Sequence, residues 1–488
     1  MTRRTLPHAG LLLLAAALPA PARAEEPSKR PNVLLILADD LGYGDPGCFN
    51  PKSRTPMPNV DRLAAEGMRF TDAHAAGAVC VPSRYGLLTG RYPFRNTGTR
   101  DPNRGPLIEP GRVTIASLLR EHGYVTAMIG KWHLGFEGGV AFDYGKPLRG
   151  GPVDHGFATF FGQHASLDIP PYFLIDNDRA VEAATRTIEA NHTPGWRPVQ
   201  GAFWRAGAIA PHFKHEEVLP AYTRKAVEFL EARGKATDGK PFFLYLAFTA
   251  PHTPWLPRPA FRGAGKAGLY GEFVADLDEA VGQVLTALKK SGLADDTLVI
   301  FTSDNGPMWY PADVEKYGHD AAGGLRGMKG DAWEGGHRMP FLVRWPGKVR
   351  AGATIAETIC FTDVLATFAG LVGARLPDEA GEDSFSILPL LLEEKSDRPP
   401  RPVTISESSR GVLAVRSGDW KFIPMLGSGG FSTPARVEPK PGEPVGQLYN
   451  LADDPGETKN LYADRPEVVK RLTDLLEKAR KDGRTAPR

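Results

Sequence analysis

Four runs of aliphatic and aromatic residues, 32–37 (NVLLIL), 125–129 (VTAMI), 242–248 (FFLYLAF) and 297–302 (TLVIFT), are too continuous to be half-solvated strands. A strand with one wet face alternates apolar and polar residues, whereas a strand covered on both faces does not. Runs of this length therefore belong in a mainly parallel sheet. Each run stops at once on polar residues: Ala38-Asp39-Asp40, Gly130-Lys131-Trp132-His133, Thr249-Ala250-Pro251-His252 and Ser303-Asp304-Asn305-Gly306. Stretches of helical period lie among them, at 60–67, 114–120, 219–233 and 270–288,. Strand and helix alternation of this kind predicts an α/β fold, a large mainly parallel sheet sandwiched by helices. Ligands in such folds bind beyond the carboxyl ends of the strands. The four polar clusters then share one edge and make one candidate site.

At 488 residues, 42% hydrophobic and 24% charged, the chain has material for one large α/β domain with an appendage,. Three cysteines exclude a disulfide framework, and with Cys80 set aside, Cys48 and Cys360 are left either to pair or to stay free,. A net charge of +2 carries no nucleic-acid footprint,. From about residue 388 the texture changes. Residues 393–402 form a charged, Pro-rich linker, 411–416 and 420–423 flank Ser417-Gly418-Asp419 as a hairpin, 447–451 reads as another strand and 466–481 as an amphipathic helix,. The expected organisation is a targeting segment over 1–24, an α/β domain over 25–395, and a small C-terminal α+β subdomain over 396–488, an antiparallel sheet plus helix packed on the first. The targeting segment has Arg3 and Arg4 before an apolar run too short to span a bilayer, then Ala22-Arg23-Ala24 as a small-x-small cleavage site,. The protein is expected to be exported, periplasmic or secreted by a Sec or twin-arginine route, with no membrane span once the signal is removed.

The clusters differ in chemistry. Asp39, Asp40, Asp304 and Asn305 offer only hard oxygen ligands, and three gathered carboxylates would repel one another without a divalent cation,. Loose geometry favours Ca²⁺; a tighter octahedral site would favour Mg²⁺. No histidine or cysteine adjoins these four to suggest zinc. Arg84, Lys131, His133, His252 and Lys329 supply a surplus of positive charge, which suits the stabilisation of a dianion-like transition state,. Cys80 stands one turn before Arg84 where a helix is expected to start: Pro82 suits a first turn, and Ser83 is placed to help cap the free amides,. The positive end of that helix would acidify a bare thiol. The spacing does not suit a Cys-based phosphatase loop, which needs its Arg where this chain has Gly86.

Residues 80–91 (CVPSRYGLLTGR) resemble the signature of the formylglycine-dependent, arylsulfatase-like sulfatase family, C-x-P-S-R-x-x-L-x-T-G-R, and meet every fixed position. Residues 123–135 resemble its second signature, and A-D-D-L-G at 38–42, S-D-N-G at 303–306 and the lysine segment at 327–338 match as well, so the resemblance covers roughly residues 30 to 465,. It implies an alkaline phosphatase-like fold and oxidation of Cys80 to formylglycine (3-oxoalanine) by a formylglycine-generating enzyme. It also implies a Ca²⁺ site at Asp39, Asp40, Asp304 and Asn305, and hydrolysis of sulfate monoesters. By the same resemblance, the metal and Arg84 polarise one hydroxyl of the formylglycine hydrate for attack on sulfur. Lys131, His252 and Lys329 neutralise the sulfate, with His252 or Lys329 protonating the departing alcohol, and His133 deprotonates the remaining hydroxyl so that sulfate leaves. Ser166 matches a position that contacts sulfate in some members. The chain looks similar to bacterial sulfatases acting on carbohydrate sulfate esters, which makes a sulfated glycan or small molecule the expected partner. Residues 170–173 (PPYF) and the loop 204–215 read either as the lining of a pocket beside the sulfate site, where rings and basic groups suit a sulfated sugar, or as ordinary surface loop,. Two alternatives stand: a formylglycine-dependent phosphodiesterase or phosphonate monoesterase, which shares C-x-P-x-R, and a non-catalytic sulfated-glycan binder with Cys80 unmodified.

Overall fold

The structure is a computed structural model that describes residues 1–2, 30–96, 98, 100–394 and 401–487. The targeting segment 1–24 lies almost wholly outside the described residues, and so does the expected boundary at 395/396. The chain separates into two compact units, Met1–Arg30 and Pro31–Arg488, and the fold below is that of the second.

Strands β1 (Asn32–Asp39), β2 (Met68–His74), β3 (Val125–Lys131), β4 (Thr159–Gln163), β5 (Phe242–Pro251), β6 (Thr297–Ser303) and β7 (Arg338–Arg344) form the body of an eleven-stranded sheet. Their spatial order is β2-β7-β6-β1-β5-β3-β4. The central five, β6, β1, β5, β3 and β4, run parallel, and β7 is antiparallel to both β6 and β2. The apolar runs end level with one another because their carboxyl ends share this parallel stack. β1 shows why its sequence does not alternate: Val33, Leu35 and Leu37 enter one core while Leu34, Ile36 and Ala38 enter the other. Helices α2 (Cys80–Thr89), α3 (Ile115–Glu121) and α6 (Asp363–Val372) cover the first face; α1 (Pro58–Glu66), α4 (Val218–Lys235) and α5 (Gly268–Lys290) cover the second. α3 starts on a reciprocal cap, in which Thr114 Oγ1 accepts from the Ser117 amide and Ser117 Oγ accepts from the Thr114 amide,.

One glycine positions the site directly. Gly130 has φ +119°, and a Cβ there would lie 1.8 Å from the Ala247 carbonyl oxygen of the neighbouring strand. Only glycine lets β3 approach β5 this closely just before Lys131.

The C-terminal part is the expected antiparallel sheet and helix: β8 (Thr404–Glu407), β9 (Leu413–Ser417), β10 (Trp420–Ile423) and β11 (Gln447–Asn450), with α7 (Pro466–Asp482) burying Leu472, Leu476 and Ala479 against them. Buried charges join it to the large sheet. Lys421 Nζ on β10 donates to Glu334 Oε1 at 2.9 Å and lies 2.9 Å from Glu457 Oε1, while Arg416 on β9 reaches Asp72 on β2 at 2.7 Å. Burial pushes the Glu457 carboxyl up; at Glu334 burial is outweighed by Lys421, which holds that carboxyl well below its usual range. Cys48 and Cys360 do not pair; both are free thiols. Among the described residues no helix is long and apolar enough to cross a membrane.

Lys421→Met leaves two buried carboxylates without their ammonium. The expected loss is about 3–5 kcal/mol of unfolding free energy, measured by denaturant titration; a loss below 1 kcal/mol would show that the cluster does not hold the sheets together.

Candidate active site

The segments that follow the level strand ends place their side chains within a few ångströms of one another. Asp39 closes β1, and Asp40 turns the chain with φ +66°; Lys131 closes β3, and His133 follows with φ +57°. Such backbone is costly for non-glycine residues and persists only where the surroundings over-determine it. His252 follows β5, Asp304 and Asn305 follow β6, and Lys329 comes from the loop ahead of β7.

The charged groups interlock. Arg84, from the first turns of α2, donates through Nε to Asp304 Oδ2 at 2.9 Å and through Nη1 to the Lys131 carbonyl at 2.8 Å; its Nη2 lies 3.5 Å from Asp39 Oδ2. Lys131 Nζ donates to Asp39 Oδ2 at 2.5 Å and Lys329 Nζ to Asp40 Oδ2 at 2.9 Å. The Asp40 amide donates to Asp304 Oδ1 at 3.2 Å, and Asn305 Nδ2 donates to Asp40 Oδ1 at 2.7 Å. Burial works against the charge on Asp39, yet Lys131, His252 and Arg84 hold its carboxyl well below the usual range. Asp304 is pushed up to about 6, by burial first and then by the charge of Asp39. Asp39 Oδ1 and Asn305 Oδ1 are buried without a hydrogen-bond partner. Repelling carboxylates beside unpaired hard oxygen atoms fit a divalent cation, and Asp39, Asp40, Asp304 and Asn305 are the residues that would hold it. His252, expected at this edge though not adjoining the oxygen ligands in sequence, comes close to them: its Nε2 lies 3.7 Å from Asp40 Oδ2.

Beside this cluster is a cavity of about 270 Å³, lined by Asp40, Cys80, His133, Ser166, His252 and Lys329. Cys80 Sγ is 3.3 Å from His133 Nδ1. Burial, then the charges of Lys131 and Arg84, hold His133 well below its usual range, so its imidazole is neutral. His252 Nδ1 lies 2.7 Å from the Thr253 carbonyl, which can only accept; the proton therefore sits on Nδ1, and Nε2 is left on the other side of the ring,. Ser166 Oγ is buried and unpartnered in the same cavity.

Three details differ from expectation. α2 begins at Cys80 itself with Val79 as an extended N-cap, so Ser83 falls too far into the helix to cap; its Oγ is buried without a partner. The Cys80 thiol is not acidified: burial pushes it up, and Lys131 and Lys329 only partly oppose the shift. Tyr172 and Phe173 belong to the core and do not line the cavity, although Arg205 of the loop 204–215 does.

Residues that sequence reading did not single out complete the wall. Asp168, two after Ser166, keeps one buried oxygen unpartnered and pairs through the other with Arg205. Phe431 enters from the C-terminal part, its loop held by Asp331 Oδ1, which accepts from the amides of Phe431 and Ser432 at 2.8 and 3.0 Å. Serine-x-aspartate after a matched serine was a usable signal for Asp168; Phe431 lies in a Gly/Ser-rich loop with no local signal at all.

Comparison with known proteins identifies the family. The sulfatase family model matches residues 31–374. The chain is 34% identical to an N-acetylgalactosamine-6-O-sulfatase of Bacteroides thetaiotaomicron, covering 92% of this chain and 93% of that one. It is 35% identical to human arylsulfatase A, covering 96% and 90%. A solved structure described under the metabolism of multiple glycosaminoglycans by Bacteroides thetaiotaomicron superposes with a TM-score of 0.81 at 32% identity, covering 93% of this chain and all of that one. A family-model match over most of the chain, a close structural superposition and sequence likeness along nearly the whole length lead to one conclusion: this chain belongs to the sulfatase family and is a sulfate ester hydrolase.

Proposed function

We propose that this enzyme removes sulfate from a sulfated carbohydrate, with Cys80 oxidised to formylglycine and a Ca²⁺ ion held by Asp39, Asp40, Asp304 and Asn305. The observation that carries the reading is the convergence of position 80, Lys329, His133 and His252 on one small cavity, beside a buried cluster in which Lys131 and Arg84 meet carboxylates and unpaired hard oxygens. The carbohydrate is supported by the names of the relatives and by polar groups at the rim, Asp168 and Arg205, beside the exposed ring of Phe431.

The hydrated aldehyde and the ion, when present, supply a polarised hydroxyl nucleophile and a second hydroxyl whose deprotonation expels sulfate. The chain's own groups do the rest. Lys329 and Lys131 meet the charge on the sulfate oxygens, where burial makes each ammonium count for more than it would in water. His252, when protonated, presents Nε2–H to the departing alcohol oxygen as the S–O bond breaks, and its Nδ1–H stays fixed on Thr253,. His133, kept neutral next to position 80, takes the proton from the remaining hydroxyl. Arg84 neutralises Asp304 and Asp39 and holds the carbonyl end of β3 in place. Ser166 is placed to donate to a sulfate oxygen. In this reading residues 1–24 direct export, a formylglycine-generating enzyme matures the chain, and the part from 396 onward is a subdomain that closes the pocket rim.

The direct test compares turnover of an aryl sulfate, an aryl phosphodiester and 6-sulfated N-acetylgalactosamine, with the mass of the peptide carrying position 80 measured on the same protein. Sulfate esters turned over faster than the phosphodiester, with an aldehyde at position 80, are expected. The reverse preference would make the enzyme a phosphodiesterase, and an intact thiol in protein from its native host would make it a binder.

His252→Ala is expected to lower kcat on a sugar sulfate by about 10²–10⁴-fold, with a much smaller loss on an aryl sulfate whose phenol leaves without help. Equal losses would remove His252 from the acid role. Ca²⁺ at about 100 times its Kd should raise unfolding free energy by about 2.7 kcal/mol over the chelated protein, and Asp304→Asn should abolish that gain. Denaturant curves with Ca²⁺ and with chelator measure it.

A further inference from the structure

Val79, the residue before Cys80, lines two cavities. One holds the catalytic set. The other, about 420 Å³, lies against a different face of α2, where Val81, Pro82 and Tyr85 form one wall and the chain after β8 forms the opposite one. That volume is in the range of small-ligand pockets, roughly 300–1,000 Å³. Backbone hydrogen bonds fix the two walls to each other. The Ala78 amide donates to the Glu407 carbonyl at 2.8 Å, the Gly330 amide to the Ala78 carbonyl at 2.7 Å, and the Ser409 amide to the Gly330 carbonyl at 2.9 Å. Gly330 follows Lys329, so the C-terminal sheet reaches within one residue of the sulfate-facing lysine.

The chemistry of this second cavity is unused by the mechanism. Glu407 is 4% exposed and pairs with Arg100 through one carboxylate oxygen; its other oxygen, Oε2, is buried with no hydrogen-bond partner. Ser409 Oγ is buried and unpartnered on the same wall. A buried carboxylate oxygen without a donor is costly, and a hydroxyl that donates to it recovers the loss. Arg100 and Arg410 balance Asp101 and Glu407 in the lining, so the cavity presents donors and acceptors with no net charge. A second sulfate would face Glu407; a neutral, hydroxyl-rich group meets complementary partners throughout.

Gly330 has φ +86°, and a Cβ on it would meet the Phe431 ring at 2.9 Å and Ser409 Oγ at 3.0 Å. Phe431, 42% exposed, lines the catalytic cavity and offers an apolar face there.

We propose that the cavity between α2 and the 407–411 segment is a second saccharide subsite, which takes the neutral sugar next to the sulfated one through hydroxyl hydrogen bonds to Glu407 Oε2 and Ser409 Oγ. This rests on the carbohydrate reading above. The protein then acts on a sulfated oligosaccharide in preference to the free sulfated monosaccharide.

The test measures kcat/KM for 4-nitrophenyl sulfate, for 6-sulfated N-acetylgalactosamine and for a disaccharide ending in that residue. The wild type is expected to prefer the disaccharide over the monosaccharide by about tenfold or more, equivalent to about 1.4 kcal/mol. Glu407→Gln should erase most of that preference. Arg410→Trp, which fills the cavity from its partly exposed side without touching a buried pair, should do the same. No wild-type preference, or a preference that both variants retain, overturns the subsite. Turnover of the aryl sulfate with neither saccharide accepted overturns the carbohydrate reading itself, a failure visible before any variant is made.

Discussion

The structure depends on one arrangement: Arg84 and Lys131 buried at the carboxyl edge of a parallel sheet against Asp39 and Asp304, all with essentially no exposure. Moving an ion out of water costs several kcal/mol, and attraction in the interior offsets this only where partners meet with good geometry. Arg84 meets the requirement by donating through Nε to Asp304 and through Nη1 to the Lys131 carbonyl, with Nη2 in ion-pair range of both Asp304 and Asp39,. Much of the surrounding backbone serves that fit. Gly130 brings β3 against β5, Asp40 and His133 accept left-handed conformations, and the parallel stack ends its strands at one level.

The same balance explains how the site holds both signs of charge. Carboxylates concentrated enough to hold a divalent cation would repel one another, and lysines concentrated enough to hold a sulfate would do likewise. Interleaving them through Lys131–Asp39, Lys329–Asp40 and Arg84–Asp304 lets each set preorganise the other. In the proposed reading the donors that meet an incoming sulfate are already oriented when it arrives, so little reorganisation remains for the reaction to drive.

The small C-terminal sheet takes part in this rather than decorating it. Lys421 and Arg416 tie it to Glu334 and Asp72, and the neighbouring Asp331 holds the loop that carries Phe431. The segment carrying Lys329 is thereby packed between the two sheets, with β8 and its following chain bonded to Ala78 and Gly330. The two sheets therefore wall the pocket together, although the chain joins them through a charged, Pro-rich linker.

Much of this was legible in the residues alone. Burial on both faces acts on every side chain of a strand, so 32–37 and 297–302 announce a sandwiched parallel sheet without reference to anything else, and the polar residues that end them mark the ligand edge. Cys80, Arg84, Lys131, His133, His252, Lys329, the four oxygen ligands and Ser166 were all identifiable as candidates on that basis and by resemblance. The misreadings share a cause. Capping by Ser83 and acidity at Cys80 were inferred from one helix end in isolation, whereas the helix starts at Cys80, too early for Ser83 to cap it, and burial of the whole site raises the thiol. The stretch 170–173 read as pocket lining or surface loop, and neither reading found Tyr172 and Phe173 in the core, because a short aromatic loop and a short core segment have the same composition. Phe431 reaches the catalytic cavity and Glu407 the second one through pairing between distant segments, as in the bonds from the Phe431 amide to Asp331 and from the Ala78 amide to the Glu407 carbonyl. Periodicity and strand ends are local consequences of burial and stand in the sequence itself; which distant side chains come to face one another depends on sheet order and interlayer packing, and these exist only once the chain has folded.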